Sequence, residues 1–322
     1  MDAETVFAVA ERSLYPAVLA TLIEAQGHSY RKEGAVMLLM AHGKTVGSLS
    51  PGCLEEDLAY KAEEALAAGR YTIAEYNLRP EEDAVWGEDI GCGGTMRVLL
   101  EPVADGLRTA LGEVVRFVRE GSGARLSRRL IGGRLAYEVR PLLPDGGRTS
   151  SCESANAPFY ESLHYPRERL LIFGAGEEAS AVDALARGVG FRTIVADWRP
   201  ALCCASRFPS SETVVGDADA IAARCQMGKT DFVMLASHNL RRDREMYDRM
   251  IPLSPAYLGI VGSKARIDRL LEGEVPPSFV KAPIGLPIRA EGAAEIAVSV
   301  VAELIERRSR LRASFEGRVG VR

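Results

Sequence analysis

Cysteine and histidine are scarce in this chain of 322 residues, which holds six of the first and four of the second. The cysteines, at positions 53, 92, 152, 203, 204 and 225, form no C-x-x-C pair, so neither zinc-ribbon nor iron–sulfur spacing is present. No apolar run approaches the roughly 18–20 residues that span a bilayer, and the opening MDAETVFAVAER carries acidic residues where a secretory signal carries cations. The expected location is the cytoplasm, with no membrane partner and each thiol free. An excess of one charge is lacking too. Forty Lys+Arg against forty-four Asp+Glu leave a net charge of −4, which removes the whole-chain electrostatic case for binding nucleic acid.

What the chain does have is the composition of an ordinary globular protein, 47% hydrophobic and 26% charged, with length for two domains at about 150 residues each. The stretch 144–166, PDGGRTSSCESANAPFYESLHYP, shows neither helical nor strand periodicity and reads as a linker. Beyond it, LLIFG, TIVAD, TVV, DFVMLAS and YLGIVG are short apolar runs separated by helical segments, the pattern of a parallel sheet covered on both faces. A final helix from about 291 to 311 places Ile296, Ala297, Val300, Val301, Leu304 and Ile305 on an expected buried face.

The first half is less regular. VLATLIEA, AVMLLMA, KTVGSL, YTIAEYNL and TMRVLLEP read as strands, LEEDLAYKAEEALAAG as a helix ended by glycine, and a second helix is expected over about 107–119. The fold class is therefore α/β, with an N-terminal α+β domain over 1–145, a linker over 146–167, and a Rossmann-type doubly wound parallel-sheet domain over 168–322.

The sharpest motif is Gly174-Ala-Gly176-Glu-Glu-Ala179 between a strand and a helix, a G-x-G-x-x-A turn. Gly174 permits the tight turn, Gly176 lets backbone approach a pyrophosphate, and the helix N-terminus offers free N–H groups. Asp197, 23 residues after Gly174, stands where an acid accepts bonds from ribose hydroxyls. Glu177 and Glu178 cut against this reading, because they put carboxylates where the pyrophosphate belongs. His238 follows the fourth strand at the carboxyl edge where ligands bind, as do Asp243 and the Gly262-Ser263-Lys264 turn, while Arg266 reads as a solvated helix residue.

Two glycine-rich turns carry thiols. Gly52-Cys53 precedes a helix N-terminus, which favours the thiolate, and Cys92-Gly93 lies within Gly91-Cys-Gly-Gly94 before a strand. Such turns suit ligation of a soft metal centre, carriage of a sulfur atom or a regulatory disulfide, and an incidental or buried thiol is the competing reading.

GSLSPGCLEEDL and GCGGTMRVLLEP in the first half, with LLIFGAG, ADWRP, ASHNLRRD, YLGIVGSKARIDRL and APIGLPIRAEGAAEIAVSVVAELIERR in the second, resemble the XdhC/CoxI family of molybdenum-hydroxylase accessory proteins. The resemblance covers nearly the whole chain. Pro51 departs from the family's Gly-Gly-Cys, Tyr30 from a proline, and Ser237-His238 from a Thr-His.

The resemblance implies a protein that binds molybdenum cofactor (molybdopterin), holds it while a cysteine desulfurase installs a sulfido ligand, and delivers it to apo xanthine dehydrogenase or a related molybdenum hydroxylase. It places Cys53 and Gly52, then Cys92 and Gly93, at the cofactor, with Cys53 as the contact to molybdenum and Arg31 or Lys32 for the phosphate. Gly174, Gly176, Asp197 and His238 form a second site, for NAD(P) or another nucleotide. The role is that of a non-catalytic chaperone, with a homodimer as a further expectation. The alternative is an NAD(P)- or FAD-dependent oxidoreductase, or a component of the xanthine dehydrogenase complex itself.

Overall fold

The computed structural model describes residues 3–27, 30–52, 54–77, 94–142 and 158–316, side chains being described as far as 313. The chain divides into two compact units, Met1–Pro166 and Arg167–Arg322.

In the first unit, five strands form an antiparallel sheet: β1 (Ala17–Gly27), β2 (Val36–Met40), β3 (Thr45–Gly47), β4 (Thr72–Asn77) and β5 (Gly94–Pro102), in the order β3-β2-β1-β5-β4. Central β1 is apolar on both faces because both are covered. Val18, Ala20 and Leu22 face helix α2 (Glu55–Ala68), while Ala17 and Leu19 face α1 (Ala3–Arg12) and α3 (Asp105–Arg119). Helix α2 buries Leu58, Ala62 and Ala65 at helical spacing and stops at Gly69, whose φ of 59° supplies the left-handed cap.

A second, three-stranded sheet follows: β6 (Gly123–Ile131), β7 (Arg134–Leu142) and β8 (Tyr160–His164), ordered β7-β6-β8. Strand β8 lies inside the segment expected to be a linker over 146–167. It pairs antiparallel with β6 from Ala124↔His164 to Arg128↔Tyr160, so the end of that segment belongs to the first unit.

The second unit carries six parallel strands, β9 (Arg169–Phe173), β10 (Arg192–Asp197), β11 (Glu212–Val215), β12 (Phe232–Leu235), β13 (Tyr257–Ile260) and β14 (Val280–Lys281), ordered β11-β10-β9-β12-β13-β14. The chain walks outward from β9 in one direction, then from β12 in the other, which makes the β9/β12 junction the topological switch point of a doubly wound sheet. Helices α5 (Ala218–Cys225), α6 (Leu240–Met250) and α7 (Lys264–Leu271) cover one face; α4 (Glu177–Gly188) and α8 (Gly292–Glu316) cover the other.

Helix α8 buries Ala297, Val300, Val301 and Leu304, and Glu303 accepts a bond from buried Tyr257 at 2.8 Å. Ile305 was expected on that face, but it follows Val298 by about two turns and shares its exposed side.

Candidate functional site

The turn before α2 is built by side chains. Ser50 Oγ donates to Glu55 Oε2 and accepts the N–H groups of Gly52 (3.1 Å) and Leu54 (3.2 Å), while Ser50 N–H donates to Glu55 Oε1 at 3.0 Å. Leu49 and Leu54, both fully buried, anchor its two ends. Gly47 is required here, since at φ +89° a Cβ would come within 2.6 Å of the Val36 carbonyl oxygen. Among the described residues, no atom lies within 4 Å of where a Cβ on Gly52, at φ +126°, would stand. Cys53 itself lies outside the described residues, as do Cys92 and Gly93.

Sequence reasoning missed a buried ionic network in the same unit. Arg128 of β6 and Glu101 of β5 are both fully buried, with Arg128 Nε 2.9 Å from each carboxylate oxygen. Arg128 Nη1 reaches Ser162 Oγ at 3.4 Å, Ser162 meets His164 Nε2 at 2.9 Å, and Arg128 Nη2 is buried with no partner among the described residues. Burial and the Arg128 charge push the His164 imidazole down to about 3, so it is neutral. Burial, against the opposing Arg128 charge, lifts the Tyr160 phenol to about 12. The Glu-Pro that ends β5 was the visible signal; nothing in the sequence marked Arg128 as its partner.

In the second unit the expected residues meet at the carboxyl edge of β9, β10 and β12. Gly174 has φ +110°, and a Cβ there would stand 2.4 Å from the Ala236 carbonyl oxygen and 2.6 Å from Ser237 Cα, so the turn closes against the loop after β12. Gly176 stands beside Glu178 and His238: its Cβ position is 3.5 Å from Glu178 Oε2 and 4.0 Å from His238 Cδ2. His238 takes the left-handed φ of +58°, and its Nε2 lies 3.2 Å from Glu178 Oε2. Burial raises the Glu178 pKa, but its own backbone N–H and His238 outweigh that and hold it below the ordinary value.

Asp197 is fully buried with both carboxylate oxygens engaged. Oδ1 accepts from Arg199 N (2.8 Å) and Nε (2.9 Å); Oδ2 accepts from Ala175 N (2.8 Å) and Arg199 Nη2 (2.7 Å). Burial raises its pKa, and these donors more than reverse the effect. Arg207 Nη1 takes the Ala175 carbonyl at 2.9 Å, so the middle of the glycine turn is held at both its N–H and its C=O. Arg199 also lies over the Trp198 ring, 4.4 Å from the centroid, and Arg242 of α6 approaches the same ring at 5.5 Å.

Asp243 is a buried tie between loops, accepting from Ser237 N and from Arg266 Nη2. Arg266 is therefore an ion-pair partner whose Nε is buried without a partner among the described residues, and not the solvated residue expected. Ser263 caps α7 through a bond from Arg266 N. Among the described residues, no group of three or more His, Cys, Asp or Glu is placed to hold a metal ion, and no helix is long and apolar enough to cross a membrane.

Residues 170–304 match the XdhC Rossmann domain and residues 11–77 the XdhC and CoxI family. The chain is 32% identical over 311 residues to a Bacillus subtilis protein described as a probable xanthine dehydrogenase subunit, a match covering 92% of this chain and 94% of the relative. It is 27% identical over 300 residues to the molybdenum cofactor insertion chaperone PaoD of Escherichia coli, covering 89% and 82%. A crystal structure described as a xanthine dehydrogenase from Bacillus halodurans superposes with a TM-score of 0.85 at 34% identity, covering 96% of this chain and 97% of that one.

Proposed function

The chain belongs to the XdhC/CoxI family, and from that premise we propose that it is a non-catalytic accessory protein that binds molybdenum cofactor on behalf of a molybdenum hydroxylase. In the finer form of this reading it holds the cofactor while a cysteine desulfurase supplies the sulfido ligand, then hands it to xanthine dehydrogenase or a close relative. The likeness to a probable xanthine dehydrogenase component and to a cofactor-insertion chaperone, each over most of the chain, carries the reading.

The turn at 50–55 fits such a group. Ser50 and Glu55 brace it from within, and among the described residues no atom stands within 4 Å of a Gly52 Cβ position. When bound, the cofactor supplies a soft molybdenum–sulfur centre for which a thiolate is the matching protein donor. In the proposal, the chain's own part is to hold the Cys53 thiol at the N-terminal end of α2, where the helix dipole favours the thiolate, and to leave backbone there within reach. Arg31 and Lys32 follow β1, and we propose them for the terminal phosphate.

The test is purification from a molybdopterin-producing host, with bound pterin and molybdenum assayed for the parent chain and for Cys53→Ala. The expected result is pterin and molybdenum with the parent and a tenfold or greater loss in the variant, circular dichroism being unchanged. Absence of pterin from the parent, after both expression and reconstitution, sinks the proposal.

A further inference from the structure

Helix α8 carries apolar residues on two sides. One side closes the core of the second unit. On the other, Val298 is 52% exposed and Ile305 36%, and together with exposed Ala294 and half-buried Ala302 they form one stripe, because steps of three, four and seven residues return to the same helix face. The loop before the helix widens it. Leu286 N–H donates to the Ser299 carbonyl (3.3 Å) and Ser299 Oγ to the Leu286 carbonyl (2.8 Å), which pins Leu286, 37% exposed, against α8 and brings Ile288, 52% exposed, after it. Single exposed aliphatic side chains are commonplace, whereas a contiguous set on a rigid element marks a surface that something covers.

The charges at its two ends identify the cover. Exposed Glu291 and Glu295 stand at the N-terminal end of α8, and Arg310 and Arg312 at the C-terminal end, where Glu306 pairs with Arg310. Arg310 keeps 68% of its side chain exposed, and Arg312 keeps 38% while clasping Glu168 at 2.7 and 2.9 Å. A surface that is acidic at one end, apolar in the middle and basic at the other is complementary to itself when turned end for end. Reversal about a point between Val301 and Ala302 sets Val298 against Ile305, Ala294 against Ser309 and Glu291 against Arg312 of the other helix, with the two helix dipoles opposed. The small side chains of Ala294, Ala302 and Ser309 let two such helices approach to the about 8–10 Å at which their ridges interlock.

We infer that α8 is a self-association surface: two copies of this chain pair antiparallel through the face that runs from Ala294 to Ser309, with Ala302 beside the two-fold axis. Each copy then offers the same patch, so the contact closes on itself as a dimer and does not propagate. Nothing in this pairing depends on cofactor binding by the first unit.

Sedimentation velocity on the full-length chain at micromolar concentrations should show a dimer. Val298→Glu and Ile305→Glu put a carboxylate into the apolar middle of the seam at positions already exposed, and each should weaken association at least tenfold with circular dichroism unchanged. Ile131→Glu, exposed on the β6–β7 hairpin of the first unit, should leave association as it is. Orientation is read by cysteine cross-linking under mild oxidation, with linked peptides identified by mass spectrometry. Ala302→Cys should link to itself across the axis. Ala294→Cys and Ser309→Cys should each fail to self-link, since antiparallel pairing holds like positions about 22 Å apart along the axis, yet the two variants should link to each other when mixed. Cys53→Ala should dimerise like the parent, and Val298→Glu should keep the pterin content of the parent, so dimerisation and cofactor binding fail separately. A parent that stays monomeric, a dimer indifferent to both glutamate substitutions, or self-linking at 294 in preference to the 294–309 link overturns the inference. A monomeric parent that binds a molybdenum hydroxylase only while Val298 and Ile305 are intact assigns the face to that protein and overturns it too.

Discussion

Removing Arg128 should cost the first unit far more than removing both members of its ion pair. Arg128→Met leaves the Glu101 carboxylate fully buried with its main donor gone, and breaking a buried pair in this way costs about 3–5 kcal/mol. That is a large share of the roughly 5–15 kcal/mol that holds a domain folded. The double variant Arg128→Met, Glu101→Leu should lie within about 1 kcal/mol of the parent, because well-packed apolar residues commonly match or exceed a buried pair. The pair here is incomplete as well: among the described residues Arg128 Nη2 is buried without a partner, and such an orphan donor carries its own cost of about 1–3 kcal/mol. Hydrogen–deuterium exchange on the full chain, read at peptides from β5, β6 and β8, isolates this unit from the other. At about 1.4 kcal/mol per tenfold, the single variant should exchange roughly two to three and a half decades faster and the double within one decade. A single variant as slow as the parent, or a double as fast as the single, would refute the reasoning.

Three other outcomes are expected. The neutral His164 should make the first unit acid-sensitive: its folded pKa of about 3 lies below the ordinary 6.5, so the unfolded chain binds the extra proton between those values. Stability should fall as pH drops from about 6.5 toward 3, by up to about 1.4 kcal/mol per pH unit, and His164→Gln should flatten that slope in exchange measurements; an unchanged slope removes His164 as the cause. Gly174→Ala should be severely destabilising because its Cβ meets backbone on both Ala236 and Ser237, whereas Gly52→Ala meets no described atom and should cost only its positive-φ strain, about 1–3 kcal/mol; equal melting shifts for the two would contradict this. Cys204 should alkylate faster than Cys203 and Cys225 near pH 8, since bonds from Ser206 and the Arg207 N–H lower its pKa while burial raises the others, that of Cys225 to about 11; mass spectrometry of timed iodoacetamide reactions decides.

The sequence made some of this architecture plain and concealed the rest for identifiable reasons. The parallel strands of the second unit were legible because strands covered on both faces must be continuously apolar, and LLIFG and DFVMLAS are. Helix α2 was legible from its leucine and alanine spacing and its terminal glycine. The β6–β7 hairpin was not, although Gly132-Gly133 joins the strands as a two-residue loop with positive φ at both positions. Arg125, Arg128 and Arg129 break the apolar alternation of β6, and the one that points inward is paid for by a carboxylate 27 residues earlier. At the glycine turn the positions of Gly174, Gly176 and Asp197 were readable from the motif, and that of His238 from its place after a strand. That Arg199 clasps the Asp197 carboxylate and Arg207 takes the Ala175 carbonyl was not, since a short-range motif carries no information on which side chains outside it hold its parts.

Strand β8 has a practical consequence. A fragment cut at 145, where the sequence pattern ends its first domain, loses residues 160–164 and strips β6 of one of its two neighbours. It would present a raw row of backbone N–H and C=O groups along β6, an invitation to edge-to-edge association. The same cut takes away Ser162 and His164, leaving the buried guanidinium of Arg128 with still fewer acceptors. Whoever expresses the half that carries Cys53 by itself should carry the chain through Pro166.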